Sequence, residues 1–115
     1  PPQGFVTACN QRGSSEFVEQ MLTSNEPGYY EEGSHGIRIE NLVLSTLDKA
    51  CTDGTYLCFE TVTLFPIDTS LIVSNMMDRE SIQWLNQYHQ ELYRRLLRYC
   101  NPKQTKWLKE KCKAI

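Results

Sequence analysis

A change of hydrophobic period divides this sequence. From Ile82 onward, Leu85, His89, Leu92, Leu96 and Tyr99 recur at intervals of three and four. Only an α-helix gathers such a series onto one face, and Trp84 and Tyr88 widen the stripe. The spacing predicts a helix over 75–100, opened by Asn75 or Asp78 as its cap and closed by Asn101-Pro102. A short terminal helix follows over 103–113, anchored by Trp107 and Leu108. Before Pro66 the pattern is different. Residues 20–67 carry strand-forming runs, chiefly Ile37 to Leu47 and Tyr56 to Phe65, rich in Thr, Val, Phe and Tyr. Asp53-Gly54 marks the turn between these two, which pair as an antiparallel hairpin. Residues 1–19 are irregular, with Pro1, Pro2, Gly4, Asn10 and Gly13 all favouring turns. Strands followed by helices predict an α+β fold. The sheet is thin, like one edge of a larger sheet.

The chain has 115 residues, 40% of them hydrophobic, enough for one core. Twelve basic and fourteen acidic residues leave a net charge of −2, which gives no electrostatic reason to expect nucleic acid. No run approaches the ~18 apolar residues of a membrane span. Five cysteines, Cys9, Cys51, Cys58, Cys100 and Cys112, are odd in number and form no Cys-x-x-Cys. That fits reduced thiols and a cytoplasmic setting. A secreted origin stays open, with Cys51–Cys58 and Cys100–Cys112 as pairings.

The polar stretch SNEPGYYEEGSHGIRIE, residues 24–40, holds the candidate chemistry. Met21 to Glu26 is an extended run, Pro27-Gly28 a turn in which Gly28 tolerates positive φ, and Glu31 to Gly36 a polar connection. In a strand, Ile37 and Ile39 point to the core while Arg38 and Glu40 point together to the other side. The bland alternative is a surface ion pair on a half-exposed strand. If the Glu26 segment pairs near Ile37 to Glu40, two carboxylates converge, and converging carboxylates need a cation or a proton between them. Their oxygens suit manganese, magnesium or zinc. Tyr29 and Tyr30 follow the turn; one packs and the other reaches a carboxylate. His35 lies in a Gly-flanked loop that could line an entrance, whereas His89 belongs to the helix stripe as a packing residue. Ser24 and Ser74 lack the strand-turn-helix context of a serine nucleophile. Gly33 and Gly36 do not make a phosphate loop.

NEPGYYEEGSHGIRIEN resembles the C-terminal metal-site segment of the Xaa-Pro aminopeptidases (aminopeptidase P), members of the pita-bread metallopeptidases. LCFETVTLFPIDTSLI is similar to the strand and proline-containing segment that follow it in that family. DRESIQWLNQYHQELYRRL resembles the next helix, and WLKEK the terminal one. The resemblance covers the chain from about Gln20. It implies that the chain is the C-terminal part of a pita-bread catalytic domain. It makes Glu26 and Glu40 metal ligands, Glu40 contacting both ions, with Arg38 and Tyr30 as catalytic residues that fix the site through hydrogen bonds. Gly28 would keep its turn tight, and Gly36 would let the chain run close to the cleft. The implied cofactors are two divalent ions, manganese first and zinc or cobalt as alternatives. The implied partners are peptides with proline at the second position, the rest of the same catalytic domain, and a second copy in a homodimer. The location implied is cytoplasmic, although secreted and membrane-anchored members of this branch exist.

The family's two aspartate ligands, its metal-binding histidine and a later histidine have no counterpart here. PPQGF resembles the stretch just beyond them. The expectation is therefore that this chain alone is inactive. Two other readings stay open: a pita-bread domain that serves as a binding module without catalysis, and a small α+β domain whose long helix mediates dimerisation.

Overall fold

The computed structural model describes residues 16–54 and 56–115. Expectations for residues 1–15, Cys9 among them, lie outside the described residues. Two compact units divide between Thr63 and Leu64.

The first unit is antiparallel. β1 (Leu22–Asn25), β4 (Asn41–Leu47) and β5 (Leu57–Thr61) form a three-stranded sheet in the order β1-β4-β5. β2 (Gly28–Glu31) and β3 (His35–Arg38) form a two-stranded ribbon. The β4–β5 hairpin agrees with the sequence pattern, pairing Leu47 with Leu57 nearest its loop, but its second strand ends at Thr61 rather than running to Phe65. β4 alternates, with Asn41, Val43 and Ser45 buried and Leu42 exposed. The buried face is nevertheless mostly polar. Ser45 has no exposed surface, and its hydroxyl accepts the Met21 N–H at 3.0 Å and donates to the Val18 carbonyl. Backbone bonds Gln20 N–H to Ser45 O (2.7 Å) and Ser45 N–H to Met21 O (3.0 Å) complete the clasp. They hold Gln20 at φ 64°, a left-handed conformation that a non-glycine residue adopts only at some cost.

Two expectations about residues 24–40 are corrected. Pro27-Gly28 is not a reversing turn, because Gly28 already belongs to β2 and lacks positive φ. Nor is 37–47 one strand; it breaks at Ile39–Glu40 into β3 and β4. Pro27 has no N–H to offer a ladder. Across this gap the Ile39 N–H bonds the Pro27 carbonyl at 3.3 Å. One register runs through both ladders, Asn25 facing Asn41 on one side of the break and Gly28 facing Arg38 on the other. Glu26 therefore stands opposite Glu40. The true reversal is Glu32–Ser34, between β2 and β3, where Gly33 takes φ 69°.

The second unit is helical. Asp78 caps α1 (Arg79–Leu96), its carboxylate accepting from the Ser81 N–H at 2.7 Å. The 3₁₀ turns Ser74–Met76 and Leu97–Tyr99 flank α1, so the predicted 75–100 helix is regular only between them. Asn101 and Gln104 then form a reciprocal capping box with Pro102 at the first turn of α2 (Pro102–Lys111). Leu85, Tyr88, Leu92 and Leu108 make the core, with Ile67, Ile72, Tyr93, Leu96, Cys100 and Cys112 packed against it. Of the two expected anchors on α2, Leu108 is buried and Trp107 is half-exposed, its ring 6.1 Å from that of Phe65. The four described cysteines are free, so neither suggested disulfide is present.

Candidate metal centre

The break between the two ladders is where the candidate residues meet. Two carboxylates directly across a ladder repel each other. Arg38, one step along β3, resolves the conflict. Its Nη1 donates to Glu26 Oε2 in a close ion pair and lies 3.8 Å from Glu40 Oε2. The structure thus brings together Glu26, Arg38 and Glu40, and all three retain solvent exposure.

Ser24 completes the arrangement. A period of two puts Ser24 and Glu26 on one side of the chain, and the Ser24 hydroxyl donates to Glu26 Oε1 at 2.7 Å. This bond, followed by the Arg38 charge, holds the Glu26 carboxyl below its ordinary value of 4.5, so it is ionised at neutral pH. Sequence reasoning weighed Ser24 only as a nucleophile and missed this role. The signal was the Ser-x-Glu spacing just before a proline.

Tyr30 acts from β2. It pairs across the ribbon with Gly36, while Gly28 pairs with Arg38. A Cβ on Gly36 would lie 2.7 Å from Tyr30 Cδ1, and one on Gly28 2.7 Å from Tyr30 Oη. The ring therefore lies over both glycines, with its hydroxyl above Gly28, the cross-strand partner of Arg38. That hydroxyl first, then the charges of Glu26 and Glu40, hold the Arg38 guanidinium above its ordinary value. Gly28 and Gly36 are thus needed for the space above them rather than for unusual φ.

Other expectations fare differently. Ile37 and Ile39 do not enter a core; they are 48% and 45% exposed, because the two-stranded ribbon leaves its faces uncovered among the described residues. His35 sits at the opposite end of the ribbon, with Nδ1 3.5 Å from Glu31 and 3.0 Å from the Ser34 hydroxyl. His89 is fully buried in the second unit, as the helix stripe predicted.

Glu26 and Glu40 offer hard carboxylate oxygens, a donor type that manganese, zinc or cobalt accepts, and both face the Arg38 guanidinium. Among the described residues no group of three or more His, Cys, Asp or Glu gathers. The two carboxylates fit such an ion as donors without completing a ligand set among the described residues.

Comparison with known proteins gives a consistent picture. Residues 55–115 match the family described as the C-terminal region of peptidase_M24. The chain is 43% identical over 91 residues to Xaa-Pro aminopeptidase 2 of Sus scrofa, a match covering 79% of this chain and 13% of that protein. It is 41% identical over 100 residues to the probable Xaa-Pro aminopeptidase P of Coprinopsis cinerea, covering 83% and 16%. The chain thus spans less than a fifth of the length of these relatives. Among solved structures, it is similar to the X-prolyl aminopeptidase of Caenorhabditis elegans, described as a cytosolic enzyme with a di-nuclear active site. That match has a TM-score of 0.79 and 32% identity, and covers 92% of this chain and 18% of that one.

Proposed function

Because the chain belongs to the peptidase_M24 C-terminal-region family, with the α+β fold of the end of a pita-bread domain, we propose that it carries one wall of the active site of a metal-dependent aminopeptidase. The enzyme would cleave the bond between an N-terminal residue and a following proline. The observation that carries this reading is the opposition of Glu26 and Glu40 across the ladder break, both facing the Arg38 guanidinium. The di-nuclear site named for the nematode relative supports two ions. Glu26 and Glu40 would hold them, and manganese is the ion we assign. When bound, such ions polarise the scissile carbonyl and lower the pKa of water.

The chain's own residues fix the two carboxylates. Ser24 orients Glu26 from one side and Arg38 from the other. Tyr30, spread over Gly28 and Gly36, limits where Arg38 can swing. The proposal includes the rest of a pita-bread catalytic domain as partner and a homodimer as assembly. It also includes a cytoplasmic location, for which the cytosolic nematode relative is the support. No described helix is long and apolar enough to cross a membrane.

The direct test is release of the N-terminal residue from an Xaa-Pro peptide by the intact protein. Activity should disappear on chelation and return with added Mn²⁺. Absence of turnover in the metal-loaded intact protein would overturn the assignment in favour of a non-catalytic module.

A narrower expectation concerns Gly36→Ala. The added Cβ forces the Tyr30 ring away from its place, moving a hydroxyl that favours the charged Arg38 guanidinium. Misplacement on the order of 1 Å near a site costs up to ~100-fold, so kcat/KM of the intact enzyme should fall by about tenfold to a hundredfold. The circular dichroism spectrum should stay unchanged. Unaltered kcat/KM in the folded variant would show that Tyr30 does not position the site.

A further inference from the structure

In the second unit, two consecutive residues of α1 hold the segment Phe65–Pro66–Ile67. The Tyr88 hydroxyl donates to the Phe65 carbonyl at 2.8 Å, and the Ile67 N–H donates to His89 Nε2 at 3.1 Å. Pro66 between them is buried. His89 has no exposed surface. Accepting a hydrogen bond at Nε2 requires a lone pair there, so the neutral ring carries its proton on Nδ1. That Nδ1 is buried and has no hydrogen-bond partner among the described residues.

This geometry admits one protonation state. A second proton would place an N–H at Nε2 facing the Ile67 N–H, donor against donor. It would also bury a cation with no acceptor at either nitrogen among the described residues. The titratable and charged groups of the surrounding elements have other attachments. Tyr88, whose ring is 5.7 Å away, gives its proton to Phe65. On the segment itself, Asp68 accepts from the Ser70 N–H, the bond that mainly holds its carboxyl below 3.8, with Lys111 of α2 assisting. Burial pushes the Cys112 thiol of α2 up, and Cys100 donates to the Leu96 carbonyl. On α1, Glu91 pairs with Arg94 at 2.7 Å, and Tyr93 packs at the edge of the core.

We propose that His89 is a pH-operated latch: protonation of its imidazole releases the Phe65–Ile67 segment from α1 while the helix stays folded. Burial holds the imidazole below its ordinary value of 6.5. A depressed value means that the latch is fully closed above that pH and loosens progressively as pH falls below it.

The test is amide hydrogen exchange of the intact protein by NMR, at about pH 7.5 and about pH 5, corrected for intrinsic rates. Ile67 protection should fall on the order of tenfold relative to amides in the middle of α1. In His89→Gln, whose side-chain carbonyl can accept the same bond without titrating, that relative loss should vanish. Equal protection of Ile67 at both pH values, or the same loss in His89→Gln, would overturn the latch. Should the variant fail to fold, the ¹⁵N resonances of His89 in the unmodified protein decide. A neutral Nδ1–H ring at about pH 7.5 that charges as Ile67 opens supports the latch; an Nε2–H ring, or one already charged, overturns it.

Discussion

Glu40→Gln in the intact protein is expected to lower kcat about a thousandfold while leaving stability within about 1 kcal/mol of the parent. Glutamine keeps the size of the side chain and can still accept a hydrogen bond from Arg38. It loses the negative charge that a divalent ion requires. The structural contribution of Glu40 is small, because its carboxylate is half-exposed and 3.8 Å from the guanidinium. Exposed pairs of this kind contribute ~0–1 kcal/mol. A large loss of activity without loss of stability would therefore separate ligation from folding. The checks are steady-state kinetics on an Xaa-Pro peptide, metal content by mass spectrometry, and a denaturant titration. Bound metal should fall together with kcat. If the variant keeps full metal content and near-parental turnover, Glu40 is half of a surface ion pair and the proposed site is wrong.

Leu92→Ala should cost about 3 kcal/mol of stability, within the ~2–5 kcal/mol seen for large-to-small core changes. Leu92 is fully buried, on the same α1 face as Leu85 and Tyr88, and in one cluster with Leu108 of α2. Truncation removes apolar burial and leaves a void that two capped helices cannot easily collapse around. Denaturant unfolding followed by circular dichroism at the helical band measures the effect. Trp84→Ala is the informative contrast. Trp84 is 50% exposed and stacks on Tyr88 with ring centroids 5.5 Å apart. It should cost distinctly less despite its greater size. A loss below about 1 kcal/mol for Leu92→Ala would mean that this cluster does not set the stability of the helical unit.

Much of the helical unit was legible because its signals are local. The three-and-four spacing put Leu85, His89 and Leu92 on the buried face, although Tyr99 and Trp84 of the same stripe are exposed; Asp78, one of two cap candidates, starts α1, and Asn101-Pro102 marks its junction with α2. The exposure of Trp107 was not legible: in a ten-residue helix one buried leucine is enough of an anchor, and the pattern does not say which neighbour it will be. In the strands, a period of two gathers Val43 and Ser45 on one face of β4, and that face is buried. It could not show that a serine would fill a buried position by clasping Val18 and Met21.

At the candidate site the division is sharper. Residue types and the period of two put Arg38 and Glu40 on the same side of a strand, and chemistry required a cation between converging carboxylates. Both are properties of the chain taken in order. That Glu26 stands opposite Glu40 is a matter of register, and register depends on pairing between segments separated by the Glu32–Ser34 reversal. The same applies to Tyr30 lying over Gly28 and Gly36, since empty space above a glycine has no sequence signature until the facing strand is placed. For His89, the helix stripe determined burial by itself. Only the tertiary structure decided that its one hydrogen bond would go to the Ile67 amide, because that partner arrives from a segment 22 positions away.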